Sequence, residues 1–305
     1  MLYWAMSYTG EIAALTTAVL WSFTSIFFTQ AARRIGSYWL NKFRLVIAVL
    51  FLGTTLLITT GGLLPSNISP ASYYYLIASG IVGLTLADSC LFHSFLLIGT
   101  RLTLLIFAVS PIIAALTAWP VLGEKIGLMG GLGIAITLSG VIWVTRERRI
   151  NGNEQTTTSS AKRLGIMLAL GAAACQAIGL VLAKAGMGNT LDPLPATFLR
   201  MISAAAAIWL YGLFRGDLKD FTKKCKDRRA LLFAVGGAFC GPFLGVWMSL
   251  TAVKYTQAGI AMAIMATVPI LIIPLVIVVF KEKVSPRAVI GAILAVIGVT
   301  VLFLA

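Results

Sequence analysis

One hairpin occurs twice in this chain. Residues 110–144 read SPIIAALTAWPVLGEKIGLMGGLGIAITLSGVIWV, and residues 268–302 read VPILIIPLVIVVFKEKVSPRAVIGAILAVIGVTVL. Pro111 aligns with Pro269, Glu124-Lys125 with Glu282-Lys283, Gly133 with Gly291 and Gly140 with Gly298, always 158 residues apart and without a gap. Each copy is an apolar run carrying a proline, a charged Glu-Lys turn, and a second apolar run rich in small residues. A gapless match of this length marks a duplication, so any architecture proposed for one half has to serve the other as well.

Composition decides the medium. Hydrophobic residues make up 59% of the 305 and charged residues 11%, with a mean hydropathy of +0.96. A soluble domain carries about 25% charged residues, so this chain lacks the polar groups for an ordinary wet surface. Ten apolar runs can be marked off, over residues 10–32, 38–60, 72–98, 102–122, 127–145, 164–185, 195–214, 230–253, 257–280 and 286–304. A helix of roughly 17–25 residues crosses about 30 Å of hydrocarbon. Lipid offers no partner to free backbone groups, and no ten-residue alternating strand pattern is present, so the spans are expected to be helices.

The expected fold is therefore an all-α integral membrane protein of ten transmembrane helices. Residues 1–149 form the first five-helix repeat, 150–163 a polar linker and 164–305 the second repeat. Five is an odd number, so the copies insert with opposite orientation. Two inverted repeats around a central cavity is the arrangement that places a substrate site near the bilayer midplane. The duplication continues in Ser79, Gly83 and Ala87 of span 3, which match Gly237, Gly241 and Gly245 of span 8 at the same spacing of 158. Such a stripe of small residues lets helices approach closely. With a small shift from that spacing, Phe43-Arg44-Leu45 meets Leu199-Arg200-Met201 at the starts of spans 2 and 7.

A net charge of +14 suggests nucleic acid only until its placement is considered. Twenty of the 24 Lys and Arg fall in or beside the loops after odd-numbered spans, where they set orientation. The charge count puts those loops in the cytoplasm and both termini on the opposite side of a cell inner (plasma) membrane. No nucleic-acid partner is expected; the partners are the lipid bilayer and a small-molecule substrate, and the chain is expected to act as a monomer. The four cysteines, Cys90, Cys175, Cys225 and Cys240, have no metal-ligand spacing, and neither a metal nor a cofactor is expected. The N-terminus shows no basic stretch before an apolar run and no cleavage site, so the first span is expected to stay in the mature chain.

A tryptophan midway through span 1 (LTTAVLWSF), the Phe-Arg pair opening span 2, and the proline-to-GEK hairpin together resemble the drug/metabolite transporter superfamily, EamA type. The resemblance covers essentially the whole chain. It implies a ten-helix transporter of small metabolites, mostly an exporter of amino acids and related compounds, with a cavity lined by helices 1, 3, 4, 6, 8 and 9. Small multidrug-resistance relatives carry a membrane carboxylate in helix 1; here that place is Leu20-Trp21-Ser22, which argues against proton coupling of that kind.

Within the spans, polar and aromatic groups at mid-depth carry the functional information, because burying charge in lipid is costly. Asp88 is the one acid well inside a span, and is read as a substrate-amine or cation contact against an alternative role in helix packing; on the first reading Asp88→Asn costs transport more than folding. His93, the single histidine, is a further candidate substrate contact against an alternative role as a structural hydrogen-bonder. It lies roughly 140° round the helix from Asp88, at about 100° per residue, so the two do not form a dyad. Trp21 and its counterpart Gln176, with Trp247, are read as cavity walls, while Trp39, Trp119 and Trp143 suit the membrane interface. Phe107 and Met265 sit beside the bends expected at Pro111 and Pro269; with Pro242 these prolines interrupt the backbone ladder and act as bending points. The Glu-Lys turns are read as caps anchoring the hairpin ends. A metabolite transporter working by alternating access is the expected function, with a multidrug or cation efflux pump on the same fold as the alternative. An intramembrane enzyme is disfavoured, because one histidine and one mid-membrane acid make no acid/base or metal site.

Overall fold

The computed structural model describes residues 8–63, 68–146, 159–216, 221, 224, 226–268, 270–271 and 286–304. Among them every regular element is helical. In chain order these are α1 (Thr9–Ile35), α2 (Ser37–Thr60), α3 (Pro70–Gly80), a π-helical segment (Ile81–Leu86), α4 (Ala87–Phe107), α5 (Ser110–Leu122) and α6 (Leu128–Arg146). The second half gives α7 (Ser159–Met187), α8 (Pro193–Arg215), α9 (Arg228–Ala238), a second π-helical segment (Phe239–Gly245), α10 (Val246–Tyr255), α11 (Ala258–Met265) and α12 (Pro286–Phe303). Among the described residues six stretches are long and apolar enough to cross a membrane: Thr9–Ile35, Ser37–Thr60, Pro70–Ile98, Ser159–Met187, Pro193–Arg215 and Arg228–Tyr255. Ser110–Leu122, Leu128–Trp143 and Val289–Phe303 are shorter apolar helices.

Local chemistry explains several ends. Pro70, Pro193 and Pro286 open their helices, where a missing N–H costs nothing. Ser69 caps α3 by accepting from the Ser72 N–H at 3.1 Å, and Asp227 caps α9 by accepting from Ala230 at 3.0 Å. Gly123, at φ +70°, closes α5 in the left-handed region and delivers the chain into Glu124.

The boundary expected between spans 3 and 4 is a bend rather than a loop. Helical backbone continues from Ala87 to Phe107, yet Ser94 Oγ and Thr103 Oγ1 are 2.8 Å apart. Nine residues of straight helix would separate them by about 13 Å, so α4 doubles back between the two. The hydroxyl pair, together with a bond from Ser94 to the Gly165 carbonyl at 2.9 Å, holds the fold-back.

The halves are interleaved rather than packed as separate bodies. On α1, Trp21, Thr24 and Phe28 cover in turn Gly245, Gly241 and Gly237, so α1 runs antiparallel to α9 and α10. The approach is close enough that a Cβ on Gly245 would lie 2.6 Å from Trp21 Nε1. In the exchanged copy α7 crosses the junction of α3 and the first π segment, where a Cβ on Gly179 would lie 2.5 Å from Gly83 Cα and Ser79 donates to the Gly179 carbonyl. Helix α6 crosses α12 at Gly140, where a Cβ would meet Ala295 N at 2.5 Å, and Gly133 lies against Leu302. Helix α2 lies along α8, with Tyr38 against Tyr211 (ring centroids 6.4 Å apart) and Gly53 against Phe198. In the last two pairs the helices occupy equivalent places in the two repeats and run antiparallel to each other.

Candidate functional site

The two repeats break at the same place. Helix α4 ends at Phe107 and α11 at Met265, and each is followed by two non-helical residues, Ala108-Val109 and Ala266-Thr267. The hydrogen bonds of the two breaks match position for position. Val109 N–H donates to Ile106 O and Thr267 N–H to Ile264 O, at 3.2 and 3.1 Å. Ile112 and Ile113 both turn to Val109 O, as Ile270 and Leu271 turn to Thr267 O. Pro111 and Pro269 bring no N–H to the carbonyls of Phe107 and Met265, and the diverted N–H groups of Ile112 and Ile270 leave Ala108 O and Ala266 O without their helical donors. Pro111 is buried; Pro269 itself lies outside the described residues. Pro242 is also buried and stands inside the second π segment.

Around these breaks the expected site residues divide. Trp21 and Met265 belong to one large apolar cluster, with Met265 buried and Trp21 half-buried against Gly245. Trp247 packs in a different cluster, its ring 6.2 Å from that of Phe243. Phe107 and Gln176 are half-buried on α4 and α7, and His93 is exposed on α4, away from Asp88. Among the interfacial tryptophans, Trp119 and Trp143 are exposed as expected. Trp39 is not: it packs inside, against Phe43 and Phe221.

Asp88 has a partner that the sequence did not indicate. Arg44 Nη2 pairs with Asp88 Oδ2 and also donates to Leu84 O at 3.3 Å, a carbonyl of the π segment, while Arg44 Nε donates to Asn41 Oδ1 at 2.8 Å. Asn41 is held in turn by Ser89 Oγ at 3.2 Å, and the rings of Phe28 and Phe92 lie 5.8 and 5.4 Å from the guanidinium carbon. Arg44 was counted with the loop charges, as was Lys42; the structure buries both. The Lys42 ammonium sits 4.6 Å from the ring centres of Tyr38 and Trp39 and 5.0 Å from that of Trp209. Desolvated cations beside aromatic faces are stabilised by the ring quadrupoles, so neither residue needs to reach the membrane surface.

The model of the EamA-like transporter family matches residues 8–146 and 163–304. The chain belongs to that family. Its two matches fall on the two repeats, and the family is one of transporters within the drug/metabolite transporter superfamily, which points away from an enzyme. No curated protein matches the chain. A solved structure described only as "Crystal structure of protein" shares the fold at a TM-score of 0.72, with 16% identity, over 96% of this chain and 94% of that one.

In this EamA-type chain the Glu-Lys turn of the first repeat does more than finish its own hairpin. Glu124 Oε2 accepts from the Ala258 N–H at 2.9 Å, capping α11 from 134 residues away, and its Oε1 pairs with Lys184 Nζ at 2.5 Å. Lys184 also donates to Thr256 O at 2.6 Å, and Thr256 Oγ1 donates to Glu11 Oε1 at 2.7 Å. The network therefore ties α1, α5, α7, α10 and α11 together at one end of the bundle. It lines a vestibule of about 620 Å³ with Lys254, Tyr255 and Gln257. A second, mostly apolar cavity of about 390 Å³ reaches the broken helix at Thr267 and Ile270. Neither cavity is lined by Trp21, Asp88, Gln176 or Trp247. The matching Glu282-Lys283 turn lies outside the described residues.

Sequence reasoning undervalued three groups: Lys42, Arg44 and Glu124. A signal was present for Arg44 and Arg200, since charges seven residues inside apolar helices are expensive unless held by protein. Nothing local to Glu124 could have named Ala258.

Proposed function

We propose that the protein is a secondary transporter that moves small organic metabolites, amino acids or related compounds, across the inner membrane in the direction of export. It works by alternating access, with ten spans arranged as two inverted repeats. The observation that carries this reading is the pair of equivalent breaks after Phe107 and Met265. Each leaves carbonyls without their helical donors on an interrupted helix, as transporters do where backbone lines a substrate path. The antiparallel course of α6 with α12 and of α2 with α8 supports the inversion. The π segments at Ile81–Leu86 and Phe239–Gly245, again 158 residues apart, give each half one matching irregular stretch.

On this reading the substrate lies between the broken helices and α1, touching Trp21, Phe107 and Met265, with Gln176 supplying a polar contact. Asp88 takes part through Arg44 rather than as a bare carboxylate. The glutamate-lysine network closes the vestibule end, and the basic odd-numbered loops face the cytoplasm. The test is counterflow in proteoliposomes, with purified protein and a panel of amino acids. Accumulation of labelled substrate against unlabelled substrate inside, lost in Trp21→Ala and kept in Trp143→Ala, is the expected result. A well-inserted protein that exchanges none of the panel would overturn the reading.

A further inference from the structure

The duplication kept a buried cation twice but its acid only once. Arg44 and Arg200 occupy matching places on α2 and α8, and both are buried, Arg200 to 1% exposure. Arg44 is held through Nε by Asn41 and through Nη2 by Asp88 and the Leu84 carbonyl. The residue equivalent to Asp88 in the second half, 158 positions on, is Val246. Nε and Nη1 of Arg200 accordingly have no hydrogen-bond partner among the described residues. Nη2 points at the π segment of the first half, where a Cβ on Gly83 would lie 3.1 Å from it, so glycine leaves that side uncovered. Asp88 is the acid whose field reaches Arg200, but it is bonded to Arg44. Among the described residues, the two arginines and one aspartate thus leave one positive charge uncompensated inside the bundle.

An unpaired buried guanidinium is strongly disfavoured. It does not shed its charge as a buried carboxyl can. Its planar donors match a carboxylate or a phosphate, and its field repels a cation. We propose that Arg200 receives an oxyanion of the transported molecule, a carboxylate or a phosphate, and that the substrates are anionic or zwitterionic rather than organic cations. This rests on the transporter reading above and narrows it. Neither cavity reaches Arg200 in this closed arrangement. The anion therefore enters once α8 parts from the π segment, to which it is bonded by Thr85 Oγ1 donating to Ala204 O at 3.0 Å.

The test uses purified full-length protein and ligand-dependent thermal stabilisation, with leucine, its decarboxylated amine isopentylamine, and inorganic phosphate as probes. Leucine or phosphate is expected to stabilise the wild type and isopentylamine is not; which of the two acts separates a carboxylate from a phosphate substrate. Arg200→Met should unfold at the same temperature as wild type or higher, since it removes an uncompensated charge, and should bind the anionic probe about tenfold more weakly or worse. Arg200→Lys, keeping the charge without the planar donors, should fall between. Stabilisation by isopentylamine alone, by none of the three, or equally in Arg200→Met overturns the assignment. So does an Arg200→Met protein that unfolds well below wild type, because the arginine would then be structural. Transport of an amine in the counterflow assay, with no anion response here, would leave the transporter reading standing and remove this one.

Discussion

Two polar clusters in this molecule use the same ingredients and differ in what surrounds them. The Arg44–Asp88 pair lies within the first repeat, walled by Phe28, Phe92 and the π segment. The Glu124–Lys184 pair joins the two repeats and faces a vestibule of about 620 Å³. Breaking the first leaves a bare charge among apolar atoms; breaking the second lets solvent take over. Coulomb attraction at about 4 Å is several-fold stronger near a protein surface than in water, and stronger again in the interior. The first cluster is therefore a fixture that positions the α2–α3–α4 corner. The second lines a vestibule at one end of the bundle, where parting the pair costs less.

The largest effect should come from the fixed pair. Asp88→Asn leaves Arg44 buried without its counter-charge and should cost about 3–5 kcal/mol of stability, read as loss of folded protein in detergent. This reverses the order expected from sequence, in which transport suffered before folding. An apolar double replacement, Arg44→Met with Asp88→Leu, should recover most of the loss. If Asp88→Asn is as stable as wild type, the pair is not the fixture described.

A steric pair sharpens the same contrast. Gly179→Ala drives a methyl group into the backbone at Gly83, beside the fixed cluster, and should cost about 1–3 kcal/mol. At the vestibule end, Gly259→Ala touches Ala115 Cβ at 3.0 Å and presses most closely on the tip of Ile126, with Cδ1 at 2.7 Å. That side chain can swing aside, so thermal unfolding should shift less for Gly259→Ala than for Gly179→Ala; the opposite order would contradict the comparison.

The vestibule pair should act on opening more than on folding. Glu124→Gln keeps an oxygen for the Ala258 N–H and loses the ion pair with Lys184, at a cost of about 1 kcal/mol. A cysteine placed at Ile260 should then be alkylated about fivefold faster, with little change in unfolding temperature. Unchanged alkylation would mean that this end does not open by parting Glu124 from Lys184.

The smallest effect belongs to a third, solvent-facing pair. Asp227 accepts from the Ala230 N–H at its helix start and then from Arg34 Nε at 2.8 Å, and these donors hold its carboxyl below the ordinary value of 3.8. A carboxyl depressed in the folded state adds stability above its unfolded value, and that stability is lost as pH falls through the folded value. Asp227→Asn should therefore flatten the stability profile only below about pH 4. Salt should weaken the Arg34 contact and leave the cap in place.

The sequence by itself determined the duplication, the membrane as solvent, the apolar spans and the helix breaks at Pro111 and Pro269, because these follow from composition, periodicity and the missing proline N–H. It also determined where helices could touch, since Gly83, Gly140 and Gly245 have no side chain to keep a neighbour away. Only the tertiary structure decided which groups meet. Arg44 finds Asp88 across two helices, Glu124 finds Ala258 from the opposite repeat, and Arg200 Nε and Nη1 find no hydrogen-bond partner among the described residues. The reason is one of range. Hydropathy and backbone chemistry act along a few turns of one helix, whereas a buried charge is balanced by whatever the packing of different helices brings within hydrogen-bond reach.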